Sequence, residues 1–154
     1  MSDLYPVADS KIYIGGVKAS QAADFTEASF NGESWTEIDG WSQMGAIGDA
    51  AALITTALIN RGRDAKQKGT SNAGSMQNVF AILEDDAGQI ALLAAAEPSN
   101  KNNYAFKILL SNGATRYFIG LVMQSQEAGG EANTISNLNA TIEINSNIVK
   151  VGAP

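Results

Sequence analysis

The chain has 154 residues, an apolar fraction of 45% and a formal net charge of −6, which suits a single domain large enough to bury a hydrophobic core. It contains no cysteine and no histidine, which excludes disulfides and thiolate sites and removes the commonest general base and metal ligand. The acidic balance argues against a protein that reads nucleic-acid sequence, because such proteins usually present a basic face.

The N-terminal residues carry two aspartates and no long apolar run, unlike a secretory signal peptide. We expect residues 1–10 to form an extended arm of a single domain that spans residues 1–154. The longest apolar run, residues 90–96, is far shorter than the ~20 residues of a membrane helix. The sequence therefore predicts a soluble chain that is made in the cytoplasm and has no membrane partner.

The first predicted strands are short. Residues 11–14 (KIYI) end at a pair of glycines, and residues 17–25 are a candidate to pair back on them. Residues 35–38 (WTEI) alternate large and polar side chains and end at an Asp-Gly pair, which is a strong hairpin signal. This part of the chain therefore predicts antiparallel pairing between near neighbours.

A basic segment lies between the next two predicted strands, residues 53–60 (LITTALIN) and 76–83 (MQNVFAIL). Both strands are rich in residues that favour β structure, and we expect them to form a long hairpin with the basic loop at its tip. Residues 60–69 carry a net charge of +3 in a chain that is otherwise acidic. The charged residues of this loop are Arg61, Arg63, Asp64, Lys66 and Lys68.

One segment, about residues 85–96, predicts an α-helix. Asp85 and Asp86 open it, where an acidic side chain can cap the helix and complement the positive end of its dipole. Apolar residues then recur at helical spacing, and Pro98 follows the end. We expect this helix to cover the core.

The last part of the chain predicts three more strands, at residues 104–110, 116–124 and 137–145. The last strand alternates between apolar and polar residues, as expected for a sheet with one dry and one wet face. Its apolar positions are Leu138, Ala140, Ile142 and Ile144, and its polar positions are Asn139, Thr141, Glu143 and Asn145. Together the elements predict a mainly β fold, an antiparallel β-sandwich or barrel with one flanking helix.

The sequence shows no pattern that supports catalysis or cofactor binding. Several acidic residues lie close together, such as Glu37 with Asp39, but none has a partner that would tune it for acid–base chemistry. Calcium-loop and phosphate-loop spacings are absent from the sequence. We therefore predict a non-enzymatic protein without catalytic residues, metal or cofactor.

Two segments resemble a known family. Residues 37–83, which begin EIDGWSQMGAIGDAAALITT, and residues 116–148, which begin RYFIGLVMQSQEAGG, are similar to the major tail protein, or tail tube protein, of long non-contractile-tailed bacteriophages. The similarity is to the group with the lambda-type tail-tube fold, and it extends over roughly residues 33–149. The contractile-tail and type VI secretion tubes share this fold and remain open as relatives.

The resemblance implies a structural subunit in the tail of a virion. Subunits of this family form hexameric rings that stack into a tube, and their sheets join into one continuous barrel. Its lumen would conduct DNA during ejection, without specific binding. The partners implied are further copies of the chain and the tape-measure, tail-tip and terminator proteins of the tail.

Two groups of residues follow as site predictions. We expect Asn139, Thr141, Glu143 and Asn145 to face the lumen, together with Glu37 and Asp39. We expect the basic loop to contact neighbouring subunits or rings, where charge sets register and partner choice. A DNA contact and a merely solvated turn remain alternatives for this loop.

Two other functions remain open at this stage. A non-enzymatic β-sandwich that decorates a virion or cell surface would stay monomeric and expose an aromatic patch. A hydrolase that relies on acidic residues alone would need two carboxylates facing each other in a cleft.

Overall fold

The computed structural model describes residues 4–152 and contains antiparallel β-strands with one α-helix. The mainly β fold with one flanking helix is therefore as predicted. The first six strands are β1 (Lys11–Val17), β2 (Thr36–Ile38), β3 (Trp41–Gln43), β4 (Ala50–Thr56), β5 (Ala65–Asn72) and β6 (Ser75–Ala81). They are followed by α1 (Ala87–Ala95), β7 (Tyr104–Leu109), β8 (Thr115–Ala128), β9 (Asn137–Ile144) and β10 (Val149–Val151).

Most strands form one sheet in the order β2-β1-β7-β8-β9-β6-β3. The long strand β8 organises it, because its first half pairs with β7 and its second half pairs with β9. The short strand β10 joins the first half of β8 on the remaining side. Only β4 and β5 stand apart, as a separate two-stranded sheet.

The main core lies on one face of this sheet and beneath α1. Leu92 and Ala95 of the helix pack there against strand residues that are fully buried. The rings of Phe106 and Phe118 stack at 5.5 Å on neighbouring strands. Alternate residues of each strand supply this face, which is the period expected of a half-buried sheet. Other large buried strand residues of this core include Ile12, Ile14, Ile38, Met76, Phe80, Ile108, Leu138 and Ile142.

A smaller aromatic cluster covers part of the opposite face. A short 3-10 helix, Glu27–Phe30, brings Phe30 onto the ring of Tyr117, at 5.2 Å between centroids. Burial, with a smaller contribution from the nearby carboxylate of Glu27, raises the pKa of the Tyr117 hydroxyl above its usual value. This cluster leaves the part of the face that belongs to β9 and β6 uncovered.

The expected pairing of residues 17–25 with the first strand is wrong, because β1 pairs with β2 and β7 instead. The side chain of Asn147 holds this segment elsewhere. It accepts a hydrogen bond from the Phe25 amide at 2.7 Å and donates one to the Phe25 carbonyl at 3.0 Å. Phe25 is thereby placed in the aromatic cluster.

The expected long hairpin is also wrong in its pairing. Strand β4 pairs with β5, whereas β6 pairs with β9 and β3 in the main sheet. A turn separates β5 from β6, with Gly74 at a positive φ of 78° and its amide bound to the Asn72 side chain at 2.9 Å. The apolar side chains of Met76 and Phe80 are buried in the core, which places β6 in the main sheet. Strand β5 then pairs with β4, its neighbour along the chain.

The helix begins at Ala87, directly after Asp86, and not at Asp85. The side chain of Asp86 caps it by accepting a hydrogen bond from the Gln89 amide at 3.0 Å. Buried Gln89 then ties the helix to the sheet, since its Nε2 donates to the carbonyls of Asp39 and Ala81, each at 2.8 Å. Gly88 allows the close approach, because a Cβ at this position would overlap the carbonyl of Glu37.

The predicted N-terminal arm lies partly outside the described residues, which exclude residues 1–3. Residues 4–10 contain no strand or helix. Their path is held by the Ser111 hydroxyl, which donates to the Pro6 carbonyl at 2.6 Å, and by a turn in which the Ser10 amide donates to the Val7 carbonyl at 3.1 Å. An extended arm over residues 1–10 stays a prediction.

The contact between α1 and β2 can be tested with Gly88→Ala. We expect the added methyl group to push the helix from the sheet and to lower the free energy of unfolding by about 1–3 kcal/mol. The matched control is Gly32→Ala, where a Cβ has no neighbour within 4 Å and the change should be within about 0.5 kcal/mol. Urea unfolding of the dilute protein measures both, and equal stability of the two variants would contradict the close packing of α1.

Candidate functional site

The polar side of β9 is open to solvent, as its alternation predicts. Leu138 and Ile142 are 2% and 0% exposed, whereas the alternate residues Asn139, Thr141 and Glu143 are partly exposed. Antiparallel strands place directly opposite residues on the same face. The polar side chains of β9 are therefore the centre of a surface that continues onto both neighbouring strands.

The open face extends over β6 and β8. Ser75, Gln77 and Val79 of β6 lie opposite Glu143, Thr141 and Asn139, and on the other side Leu121, Gln124 and Gln126 of β8 lie opposite the same three residues. These nine positions define the open face, and Glu143 is the only charged residue among them. Its carboxylate accepts a hydrogen bond from the Ser75 hydroxyl.

The structure does not bring Glu37 and Asp39 together with Glu143. Glu37 lies in β2 opposite Tyr13 of β1, and β2 is separated from β9 by β1, β7 and β8 in the strand order. Asp39 follows the end of β2. Its backbone amide donates a hydrogen bond to the Asp86 carboxylate at 3.0 Å, and this bond fixes Asp39 beside α1. Asn145 lies just beyond β9 and donates to the Asn103 side chain at 3.1 Å.

The free hairpin, which comprises β4, β5 and the residues between them, is the second candidate surface. Neither strand packs extensively on another element of the described chain. The basic residues are divided along it. Arg61, Arg63 and Asp64 lie in the tip, whereas Lys66 and Lys68 lie within β5, opposite Thr55 and Leu53. The expectation that all five charged residues lie in the loop is thus correct only for the first three.

The free hairpin also exposes apolar side chains, which no pattern in the sequence predicted. Leu53 is 67% exposed and Ile54 is 47% exposed. At the tip, the Arg61 amide donates to the Leu58 carbonyl at 3.2 Å, and the turn so formed leaves Ile59 fully exposed. Turns ordinarily carry Gly, Pro, Asn, Asp or Ser. The isoleucine in this turn is therefore the feature of the sequence that could have revealed an exposed apolar tip.

An isolated two-stranded sheet is at best marginally stable in water. Exposed apolar side chains in one place commonly mark an interaction site. The free hairpin combines both properties with a cluster of positive charge, so its chemistry suits contact with an acidic, partly apolar surface.

The described residues offer little for other kinds of chemistry. Within residues 4–152, no three or more acidic, cysteine or histidine side chains are grouped closely enough to hold a metal ion. In the same part of the chain, no helix has the length and apolar character needed to cross a membrane.

No family description and no curated protein sequence matches the chain, but solved structures do. A chain of the anti-feeding prophage baseplate has 10% sequence identity and a TM-score of 0.74, and the match covers 99% of this chain and 98% of that one. A chain of the sheath/tube terminator of PVC, an extracellular contractile injection system, in the extended state has 11% identity and a TM-score of 0.69, with 98% and 99% covered.

The SPP1 tail tube has 13% identity and a TM-score of 0.65, and the match covers 97% of this chain and 80% of that one. Identities this low establish the fold alone. The chain therefore has, over nearly its whole length, the fold found in a phage tail tube and in components of contractile injection systems.

The two faces of β9 can be distinguished in the isolated subunit by neighbouring substitutions. Ile142→Ala removes a fully buried side chain and should lower the free energy of unfolding by about 2–5 kcal/mol. Thr141→Ala alters the open face and should lower the free energy of unfolding by less than about 1 kcal/mol. Denaturant unfolding measures both values, and a larger cost for the Thr141 variant would place the core on the other face.

Proposed function

We propose that this protein is the structural subunit of a tail tube, located in the tail of a virion. Copies assemble into hexameric rings, the rings stack, and the lumen conducts DNA during ejection. The observation that carries the proposal is the shared fold over nearly the whole chain with the SPP1 tail tube. The lambda-type, non-contractile class follows from the sequence resemblance described above.

The sheet is suited to continue from one subunit to the next. Within the described chain, β4 and β5 of the free hairpin pair only with each other and leave their outer edges unpaired, and unpaired edges tend to pair with other chains. Closure of six sheets into one barrel would remove these edges. The open face would then line the lumen, where water satisfies its polar groups.

The charge of the open face suits a passage for DNA. Lysine and arginine contacts to phosphates are what bind DNA and make that binding depend on salt. The open face has neither residue, and Asn139, Thr141 and Glu143 are its centre. Glu37 lies in β2 and Asp39 in the connection from β2 to β3, outside the nine positions of the open face, so they would reach the lumen only where its wall extends beyond that face.

The free hairpin would supply contacts between subunits or rings through Arg61, Arg63, Lys66 and Lys68, with Asp64 at the same tip. The tape-measure, tail-tip and terminator proteins would be further partners at the lumen and at the tube ends. DNA would pass without specific binding, and no cofactor, metal or catalytic step is part of the function.

A tube subunit of a contractile injection system is the second candidate. The chains of the anti-feeding prophage and PVC assemblies superpose with TM-scores of 0.74 and 0.69, above the 0.65 of the SPP1 tail tube. Electron microscopy of the native particle would separate the two classes, since only the contractile system surrounds its tube with a sheath.

Negative-stain electron microscopy of the purified protein tests the proposal directly. We expect hollow rings or tubes, and native mass spectrometry of the rings should give six times the 16.1 kDa subunit mass. Single particles at all concentrations would contradict the proposal and favour a monomeric decoration module. Particles that cleave a substrate would favour a hydrolase.

The role of the free hairpin can be tested with Arg61→Glu/Arg63→Glu. We expect a folded subunit or ring that no longer grows into tubes, because reversed charges repel the acidic surface of the neighbour. The matched control, Lys101→Glu/Lys150→Glu, makes the same charge change at exposed positions outside the hairpin. Normal tube length in the first variant, measured by electron microscopy, would refute the role of these arginines.

The lumen assignment can be tested with Glu143→Lys in an infectious particle. Tubes should still form, but DNA ejection should slow or stall, because each ring would present a circle of cations to the phosphates. Glu97→Lys gives the same charge change at an exposed position after α1. An ejection rate that is unchanged for Glu143→Lys, or slowed equally by both variants, would exclude Glu143 from the lumen.

A further inference from the structure

A small groove beside α1 has the opposite charge to the free hairpin. Its cavity measures about 210 Å³, and its walls include Leu83, Ile90 and Leu93 together with the carboxylates of Glu84 and Glu127. These five residues define the acidic groove, which has no lysine or arginine in its lining. The apolar side chains are 41%, 55% and 40% exposed, respectively.

The outer side of α1 is unusual for a helix that covers a core. Leu92 and Ala95 face the core, and the opposite side of such a helix normally carries polar or charged residues. Here Ile90 and Leu93 occupy exposed positions instead. The helix therefore has a second apolar surface that the described chain leaves uncovered.

The free hairpin carries the complementary chemistry. Its tip presents the fully exposed Ile59, with Arg61 and Arg63 next to it in the chain. Lys66 and Lys68 extend the positive charge along β5. An apolar anchor flanked by cations fits an apolar groove flanked by carboxylates, because charge complementarity selects the partner and burial of the anchor supplies affinity.

The base of the free hairpin and the acidic groove lie at opposite ends of β6. The hairpin returns to the sheet at Ser75, which lies opposite Glu143. The acidic groove adjoins the other end, where Ala81 lies opposite Asn137. The seven residues of β6 separate these ends by about 20 Å at ~3.3 Å per residue.

We propose that the free hairpin of one copy docks in the acidic groove of the next copy, with Ile59 as the anchor and Arg61 and Arg63 facing Glu84 and Glu127. Because the hairpin and the acidic groove are different surfaces, the contact is head-to-tail and can repeat along a stack. This inference rests on the proposed tube function and deepens it, since it names the two surfaces that join successive rings.

Disulfide trapping tests the contact, because the chain has no cysteine of its own. Ile59→Cys and Ile90→Cys proteins, each with one thiol, are mixed, assembled and oxidised. We expect the mixed disulfide as the main cross-linked product, since a bond requires the two Cα atoms to approach within about 7 Å. Val17→Cys replaces Ile90→Cys in the control, because Val17 is 56% exposed and lies at the hairpin end of the sheet.

A charge exchange provides the second measurement. Glu84→Lys/Glu127→Lys should abolish sedimentation of assembled tubes, and so should Arg61→Glu/Arg63→Glu. Combining all four substitutions should restore sedimentation, because each docking contact regains opposite charges. A hairpin that docks elsewhere would give no restoration.

The outcomes separate this inference from the function on which it rests. If the unmodified protein forms tubes but the mixed disulfide does not exceed the Val17 control, the docking contact is wrong and the tube function stands. If the unmodified protein forms neither rings nor tubes, the function is wrong. In that case a mixed disulfide would still support head-to-tail docking, and its absence would overturn both.

Discussion

The structure depends on a long antiparallel sheet that buries one face along its length and the other face only in part. Strand β8 pairs along its length with β7, β9 and β10, and its buried residues Phe118 and Val122 join the core beneath α1. The apolar residues of β9 lie on the same side, so its polar residues must point away from the core. One-sided burial thus produces both the stability of the subunit and the surface that its proposed role requires.

The same constraint leaves the free hairpin outside the core. The core is already closed by α1, and the aromatic cluster covers part of the other face. Neither strand of the hairpin packs extensively on another element of the described chain, so Ile54 and Ile59 stay exposed. Exposed apolar side chains on a marginal two-stranded sheet gain most from burial against another copy.

Charge is distributed differently on the free hairpin and on the open face. The hairpin collects positive charge, whereas the open face has neutral amides and hydroxyls around Glu143. In a tube, contacts between subunits would need attraction, and the wall beside DNA would need weak interaction with phosphates. The subunit separates the two requirements on different strands, so changes to one surface need not alter the other.

The sequence by itself determined the elements whose patterns are local: the alternation of β9, the Asp86 cap of α1 and the mainly β class. It could not determine the partner of β4, because β5 (AKQKGTSN) lacks alternating apolar residues and its pairing depends on where Met76 and Phe80 enter the core. It also could not show that Glu37 and Glu143 lie on strands that are not neighbours, β2 and β9. Those features follow from strand order and register, which many distant side chains set together, and only the tertiary structure decided them.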